Sequence, residues 1–259
     1  MIEIIIFLII AGAVSWLGWR FPTRTLFWII AAAPMYLLKL KLGPLPSNML
    51  EAVIIGYTLS FAAEAIRKKE KWSQLQALIH THKKPLALIW MLVFAGLISG
   101  IFSTDLVAAI GIWRAYFFEA ALIATFFMLR FNPNSDSHKK HLFVAISTSL
   151  IIASVTAIIQ FTLEIGIPSG YLDPKRATGF FPYPAALAWH ITPWLVFIFY
   201  RALFKKAQKI EWIALIIGFI ALMLSFAEGA IGAFLLMAIA ACILKKQTRY
   251  VAIGALAIA

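Results

Sequence analysis

The sequence predicts an all-α fold, a polytopic transmembrane helical bundle of about ten spans. Three observations predict it. Hydrophobic residues fill 63% of 259 positions, mean hydropathy is +0.90, and charged residues are only 13%, against roughly 25% in a soluble domain. Apolar runs of about 20 residues, enough to cross a ~30 Å hydrocarbon core as a helix, recur along the chain. Lys and Arg gather in alternate connections, as the positive-inside rule requires.

The first run, MIEIIIFLIIAGAVSWLGWR, has no basic start and no small-residue cleavage site before a soluble domain. It reads as a span near Ile2–Leu17 and not as a signal peptide. Further spans are expected near Thr25–Leu42, Asn48–Ile66, Pro85–Phe102, Leu106–Leu129 and His141–Ile165. Four more follow near Ala185–Leu203, Ile210–Ser225, Gly229–Leu244 and from Tyr250 onward. The last run, VAIGALAIA, stops mid-span, so 1–259 reads as a single transmembrane domain incomplete at its carboxy terminus. No internal repeat, heptad array or low-complexity tract stands out. Cys242 is the one cysteine, so no internal disulfide forms.

Net charge is +12, but its distribution argues for membrane topology and against nucleic acid as a partner. With the amino terminus outside, eighteen of the 23 Lys and Arg residues fall on the inner side. Lys39, Lys41, Lys175 and Arg176 fall outside, and Arg114 lies within a span. The runs RKKEKW and HTHKK then read as solvated inner loops, and Lys39 and Lys41 as snorkelling anchors at the end of the second span.

The outer stretch DPKRATGFFPYPAALAWH carries the chemistry of interest. Lys175 and Arg176 stand against the prevailing charge bias. A guanidinium presents a planar fork of donors suited to phosphate. Gly179 permits close backbone approach, and Phe180, Phe181, Tyr183 and Trp189 suit either an interfacial belt or stacking on sugar rings. Arg114, about two turns into its span, must face the bundle interior because a lipid-facing arginine is costly. It reads either as a structural ion pair, with Glu51 or Glu228 as partner, or as a site for an anionic headgroup. Glu119, five positions on, is expected on a different helix face.

Ser47 or Asn48 is expected to cap the helix that carries Glu51 in its first turn. Glu64 is expected to pair with Arg67 at i,i+3. Glu228 lies at an outer junction among Ala227, Gly229, Ala230 and Gly232, small residues that suggest close helix packing. His190 is the one outer histidine and reads as a polar contact. His80, His82, His138 and His141 fall inside, and HTH lacks a third ligand for a metal. No phosphate-binding loop, dinucleotide fingerprint or serine elbow is present.

The stretch RATGFFPYPAALA resembles the outer loop of the O-antigen ligase/polymerase (Wzy/WaaL) superfamily. Arg176, Gly179, Pro184 and Ala188 fit its pattern, with Ala185 where the family has asparagine. AEGA at Ala227–Ala230 is similar to a second outer motif, with Glu228 in place of an arginine, and GPLPSNMLEAVI and GIWRAYFFEA also look like members of this family. The resemblance implies a GT-C-like, inverting, metal-independent glycosyltransferase without cofactor. It implies transfer of a glycan from undecaprenyl diphosphate to lipid A core or to another glycan, in polysaccharide biosynthesis at the bacterial inner (plasma) membrane. Membrane lipids are the remaining partners. Substrate contacts are then expected from Arg176, Arg114, Lys175, Gly179, Tyr183 and Glu228, with the general base beyond Ala259. A transporter or flippase for a lipid-linked or anionic substrate is the alternative, suited by Arg114, Glu119 and Glu51 within the membrane. A structural or assembly partner is the third.

Overall fold

The computed structural model describes residues 2–42, 45–67, 69–205 and 207–245. The described residues are almost entirely helical. In order come α1 (Ile2–Arg20), α2 (Pro22–Ala31), a 3-10 segment (Ala33–Leu37), β1 (Lys39–Leu42), β2 (Leu45–Asn48), α3 (Met49–Arg67), α4 (Lys69–Thr81) and α5 (Lys83–Ile101). Then follow α6 (Leu106–Trp113), a π-helical turn (Arg114–Phe118), α7 (Glu119–Arg130), α8 (Asp136–Leu163), α9 (Pro184–Phe204), α10 (Lys209–Leu224) and α11 (Glu228–Leu244).

Among the described residues six helices are long and apolar enough to cross a bilayer: α1, α3, α5, the continuous Leu106–Arg130 rod, α8 and α9. This is a helical membrane protein by length and composition. α10 and α11 have 16 and 17 residues, about 24–26 Å at 1.5 Å per residue, short of a ~30 Å core. The span expected from Tyr250 onward lies outside the described residues.

Two expectations change. Thr25–Leu42 is not one helix. Pro34 has no N–H to donate and disfavours a helical residue before it, so α2 stops at Ala31 and the chain continues as 3-10 and then a β1–β2 hairpin, with Lys39 opposite Asn48. Lys39 and Lys41 therefore lie on a strand and not at a helix end. The segment expected as a charged loop after α3 is instead helix α4, rich in the helix formers Lys, Gln, Leu and Ala.

Backbone packing divides the chain into two compact units, Met1–Lys139 and Lys140–Ala259. In the first, α1 and α3 run parallel at very close range. A Cβ on Gly56 would stand 2.4 Å from Ala11 O, and one on Gly18 would stand 2.2 Å from Ser60 Oγ. Parallel neighbours require the chain between them to return along their length. The broken α2/3-10 segment makes that return, so Arg20, Arg24 and Arg67 share one end and the hairpin lies at the other. Leu26, Ile29, Val53, Ile54, Tyr57 and Phe126 form the core. Lipid tails are as apolar as these side chains, so dispersion and close packing hold such helices together.

In the second unit Leu150, Leu187, Ile191, Leu195, Ile198 and Leu222 are fully buried. A Cβ on Gly218 would stand 2.8 Å from Leu195 Cδ2 and 3.2 Å from Leu150 Cδ1, so α10 lies tight against α8 and α9. At one end Arg201 Nε donates to Glu211 Oε2 at 2.8 Å, and its guanidinium lies 3.8 Å from the Phe143 ring centroid. Lys245 Nζ donates to Leu203 O there at 2.7 Å. The Glu164–Tyr183 loop occupies the other end, where Ala177 N donates to Leu224 O at 2.8 Å.

Candidate functional site

The loop is built on one side chain. Gln160, buried near the end of α8, sends its amide back across the segment that follows. Its Oε1 accepts from Thr178 N at 2.8 Å and Gly179 N at 2.7 Å. Its Nε2 lies 3.0 Å from Gly166 O, 3.0 Å from Thr178 Oγ1 and 3.1 Å from Gly179 O. A buried amide meets its donors and acceptors in full only with such a backbone cradle. Ala177 and Thr178 are fully buried as a result. Arg176 N donates to Tyr171 O at 3.0 Å, closing the preceding turn.

Arg176 is therefore held at its backbone on both flanks. Its side chain is half-buried, and among the described residues the guanidinium has no carboxylate partner. Lys175 differs. Its Nζ donates to Glu164 Oε1 at 2.7 Å and lies 4.5 Å from the Phe161 ring centroid, so its charge is already engaged. Lys175 holds Glu164 below the usual carboxylate range, first through that hydrogen bond and then through its charge. Gly179 has φ +59°, a left-handed conformation, and both its N–H and its C=O bind Gln160.

Tyr183 caps α9 in extended conformation and is exposed, edge-on to exposed Trp189 at 6.3 Å. Phe181 turns inward onto His190 at 5.3 Å. His190 Nε2 is buried without a hydrogen-bond partner among the described residues, so the expected polar contact is an aromatic one instead. Glu228 opens α11 and is exposed, an acid at a helix amino terminus. A Cβ on Gly229 or Gly232 would meet no atom within 4 Å among the described residues, so there these glycines do not mark the close helix packing expected.

The second polar cluster lies in the first unit. Asn48 Oδ1 accepts from Glu51 N at 2.9 Å, which caps α3 as expected, and Ser47 Oγ donates to Glu51 Oε2 at 2.5 Å. Arg114 Nη1 lies 3.1 Å from Glu51 Oε1, one of the two partners, Glu51 or Glu228, expected from sequence. Arg114 Nε also lies 3.7 Å from Glu119 Oε1. At 3.6 residues per turn positions i and i+5 stand about 140° apart, which is why Glu119 was expected elsewhere. The π turn changes that: Glu119 N donates to Arg114 O, an i to i−5 bond that brings the two side chains together. A cavity of about 250 Å³ adjoins the cluster, lined by Glu51, Arg114, Glu119, Ile54, Phe118 and Leu122. One guanidinium thus faces two carboxylates.

The chain matches no family model, no curated protein and no solved structure.

Sequence reasoning missed Gln160, whose partners lie 18 and 19 positions downstream. The only local signal was an amide within an otherwise apolar helix end. It also missed the buried Glu211. The partner given to Glu64 is Arg130, on α7, and not Arg67, whose guanidinium instead lies 5.0 Å from the Trp19 ring centroid. His138 accepts from Asn132 N at 3.1 Å through Nδ1, a local turn contact. Among the described residues no three His, Cys, Asp or Glu side chains gather as a metal site.

Proposed function

We propose that the chain is a membrane glycosyltransferase of O-antigen ligase or polymerase type. It acts on the outer side of the bacterial inner membrane, with a GT-C-like architecture in which about ten chain traverses include the broken α2 segment. The observation that carries this reading is Arg176, a guanidinium without a carboxylate partner among the described residues, on a loop clamped by Gln160. The loop lies at the end of its unit away from Arg201 and Lys245. The resemblance of RATGFFPYPAALA to the family's outer loop supports it independently.

The chemistry fits such a residue. In glycan transfer from a polyprenyl diphosphate, the bond from the sugar's anomeric carbon to the diphosphate oxygen breaks and the leaving group keeps the electron pair. The acceptor hydroxyl oxygen bonds that carbon and gives its proton to a base. A preorganised guanidinium stabilises the charge growing on the leaving group. Arg176 is assigned this role, and exposed Tyr183 and Trp189 the flank of the sugar path. Arg114 is assigned a structural role instead, since Glu51 and Glu119 already neutralise it.

The test is Arg176→Ala and Arg176→Lys in cells, read by electrophoresis of surface glycan. Loss of glycan in the alanine variant with partial retention in the lysine variant is expected. Undiminished glycan in both removes Arg176 from the mechanism.

The alternative, a transporter or flippase, is favoured by the buried Glu51–Arg114–Glu119 cluster beside its cavity. Glu119→Gln separates the two: it abolishes substrate movement across vesicles if the cluster is a pathway, and spares glycan transfer if it is structural.

A further inference from the structure

The parallel contact of α1 and α3 leaves a long open groove on one side of the first unit. Its volume is about 850 Å³. Small residues make its floor: Ala11 and Ser60 are almost fully buried there, and Gly12 lines it. Large apolar side chains rise beside them, with Leu8 63%, Trp16 64% and Leu59 57% exposed.

Two features say what fits it. From Leu8 to Trp19 the groove follows eleven helical steps, about 16 Å, close to half of a ~30 Å hydrocarbon core. It is therefore as long as one leaflet is thick. At its end stand Trp16, Trp19 and Arg67, with the Arg67 guanidinium 5.0 Å from the Trp19 ring centroid. Indole rings settle at the headgroup level. Among the described residues Arg67 has no carboxylate partner, since Glu64 is bound to Arg130. Arg20 and Arg24 share this end of the unit, so an occupant's head meets net positive charge.

We propose that the α1–α3 groove is a binding site for one anionic glycerophospholipid, its acyl chain between Leu8 and Trp19 and its phosphate on Arg67. The site is independent of the Arg176 loop and of the glycosyltransferase reading. A neutral headgroup gains nothing from Arg67, so the site selects by charge at its head and by fit along its tail.

The experiment is native mass spectrometry of the full chain released from detergent, titrated with phosphatidylglycerol or with phosphatidylcholine of the same acyl chains. Wild type is expected to retain one phosphatidylglycerol in preference to phosphatidylcholine. Arg67→Ala, or Arg67→Gln if the alanine variant does not fold, is expected to weaken phosphatidylglycerol about fivefold, as loss of one basic contact predicts, and to leave phosphatidylcholine unchanged. Gly12→Leu is expected to lower retention of both lipids by filling the groove. A Cβ at position 12 has no neighbour within 4 Å, so the fold tolerates the change. Equal retention of the two lipids by wild type, or wild-type behaviour in both variants, overturns the proposal. So does near-complete disulfide cross-linking between copies in native membranes through Ser15→Cys in a Cys242→Ser background, because protein then covers the groove.

Discussion

Glu119 Oε1 stands 3.7 Å from Arg114 Nε although the residues are five apart on one continuous rod. The π turn between them makes this contact, and Glu51 closes the cluster from α3 at 3.1 Å. Arg114 thus compensates two buried carboxylates. Arg114→Met leaves both without a cation and is expected to destabilise the folded chain by about 3 kcal/mol, as other broken buried pairs do. Thermal unfolding in detergent micelles measures it. Adding Glu119→Gln is expected to restore part of the loss, and a double variant no better than the single one contradicts the coupling.

Gln160→Leu removes the clamp and strands the N–H groups of Thr178 and Gly179 in a buried setting. Unpaired buried donors cost roughly 1–3 kcal/mol each, so the loop is expected to open before the helices do. Hydrogen exchange is the readout: faster exchange confined to the loop is expected, and unchanged protection at Thr178 and Gly179 argues against the clamp.

Gly179→Ala forces a Cβ into a residue with φ +59°. The expected loss is about 1–2 kcal/mol, visible as a lower unfolding midpoint. Gly232→Ala is the internal comparison. It lies within α11 with open space around the added methyl, so it is expected to be neutral or slightly stabilising.

Lys175 holds Glu164 below its usual carboxylate range. The sign follows. A lowered folded-state value means the pair's contribution is fully present above the unfolded value of about 4.3. It is lost as pH falls through the lower folded value. The loop contact is therefore expected to persist at neutral and mildly acidic pH and to fail only once pH falls below the ordinary carboxylate range. NMR titration of the Glu164 carboxyl checks it: Lys175→Met is expected to move the midpoint up to the ordinary range, and an unmoved midpoint removes Lys175 as the cause.

Much of the fold was legible because lipid imposes a simple demand: backbone polar groups must be satisfied within each segment. The runs at Ile2–Arg20, Met49–Arg67 and Pro184–Phe204 follow hydropathy alone. A cap at Ser47 or Asn48 and a carboxylate partner for Arg114, Glu51 or Glu228, were also legible, one from local chemistry and the other from the cost of a lone arginine in lipid; the structure selects Asn48 and Glu51. What resisted reading depends on geometry that 3.6-residue periodicity hides. The π turn at Arg114–Phe118 has no local sequence signature, and Pro34 broke a helix that hydropathy alone continued to Leu42. Gln160 and Glu64 find partners 18 and 66 positions away. In the candidate site, the sequence singled out Arg176 by charge bias. That Lys175 was already paired required coordinates, because Glu164 lies across the loop.

The central claim is that Arg176 is an uncommitted cation that holds a diphosphate. Equilibrium binding of a fifteen-carbon prenyl diphosphate to the purified full chain tests it most directly. Arg176→Ala is expected to weaken binding by roughly tenfold or more, the value of a charge-assisted contact, with Arg176→Lys intermediate because one ammonium replaces a two-pronged fork. Equal affinity in wild type and Arg176→Ala contradicts the account.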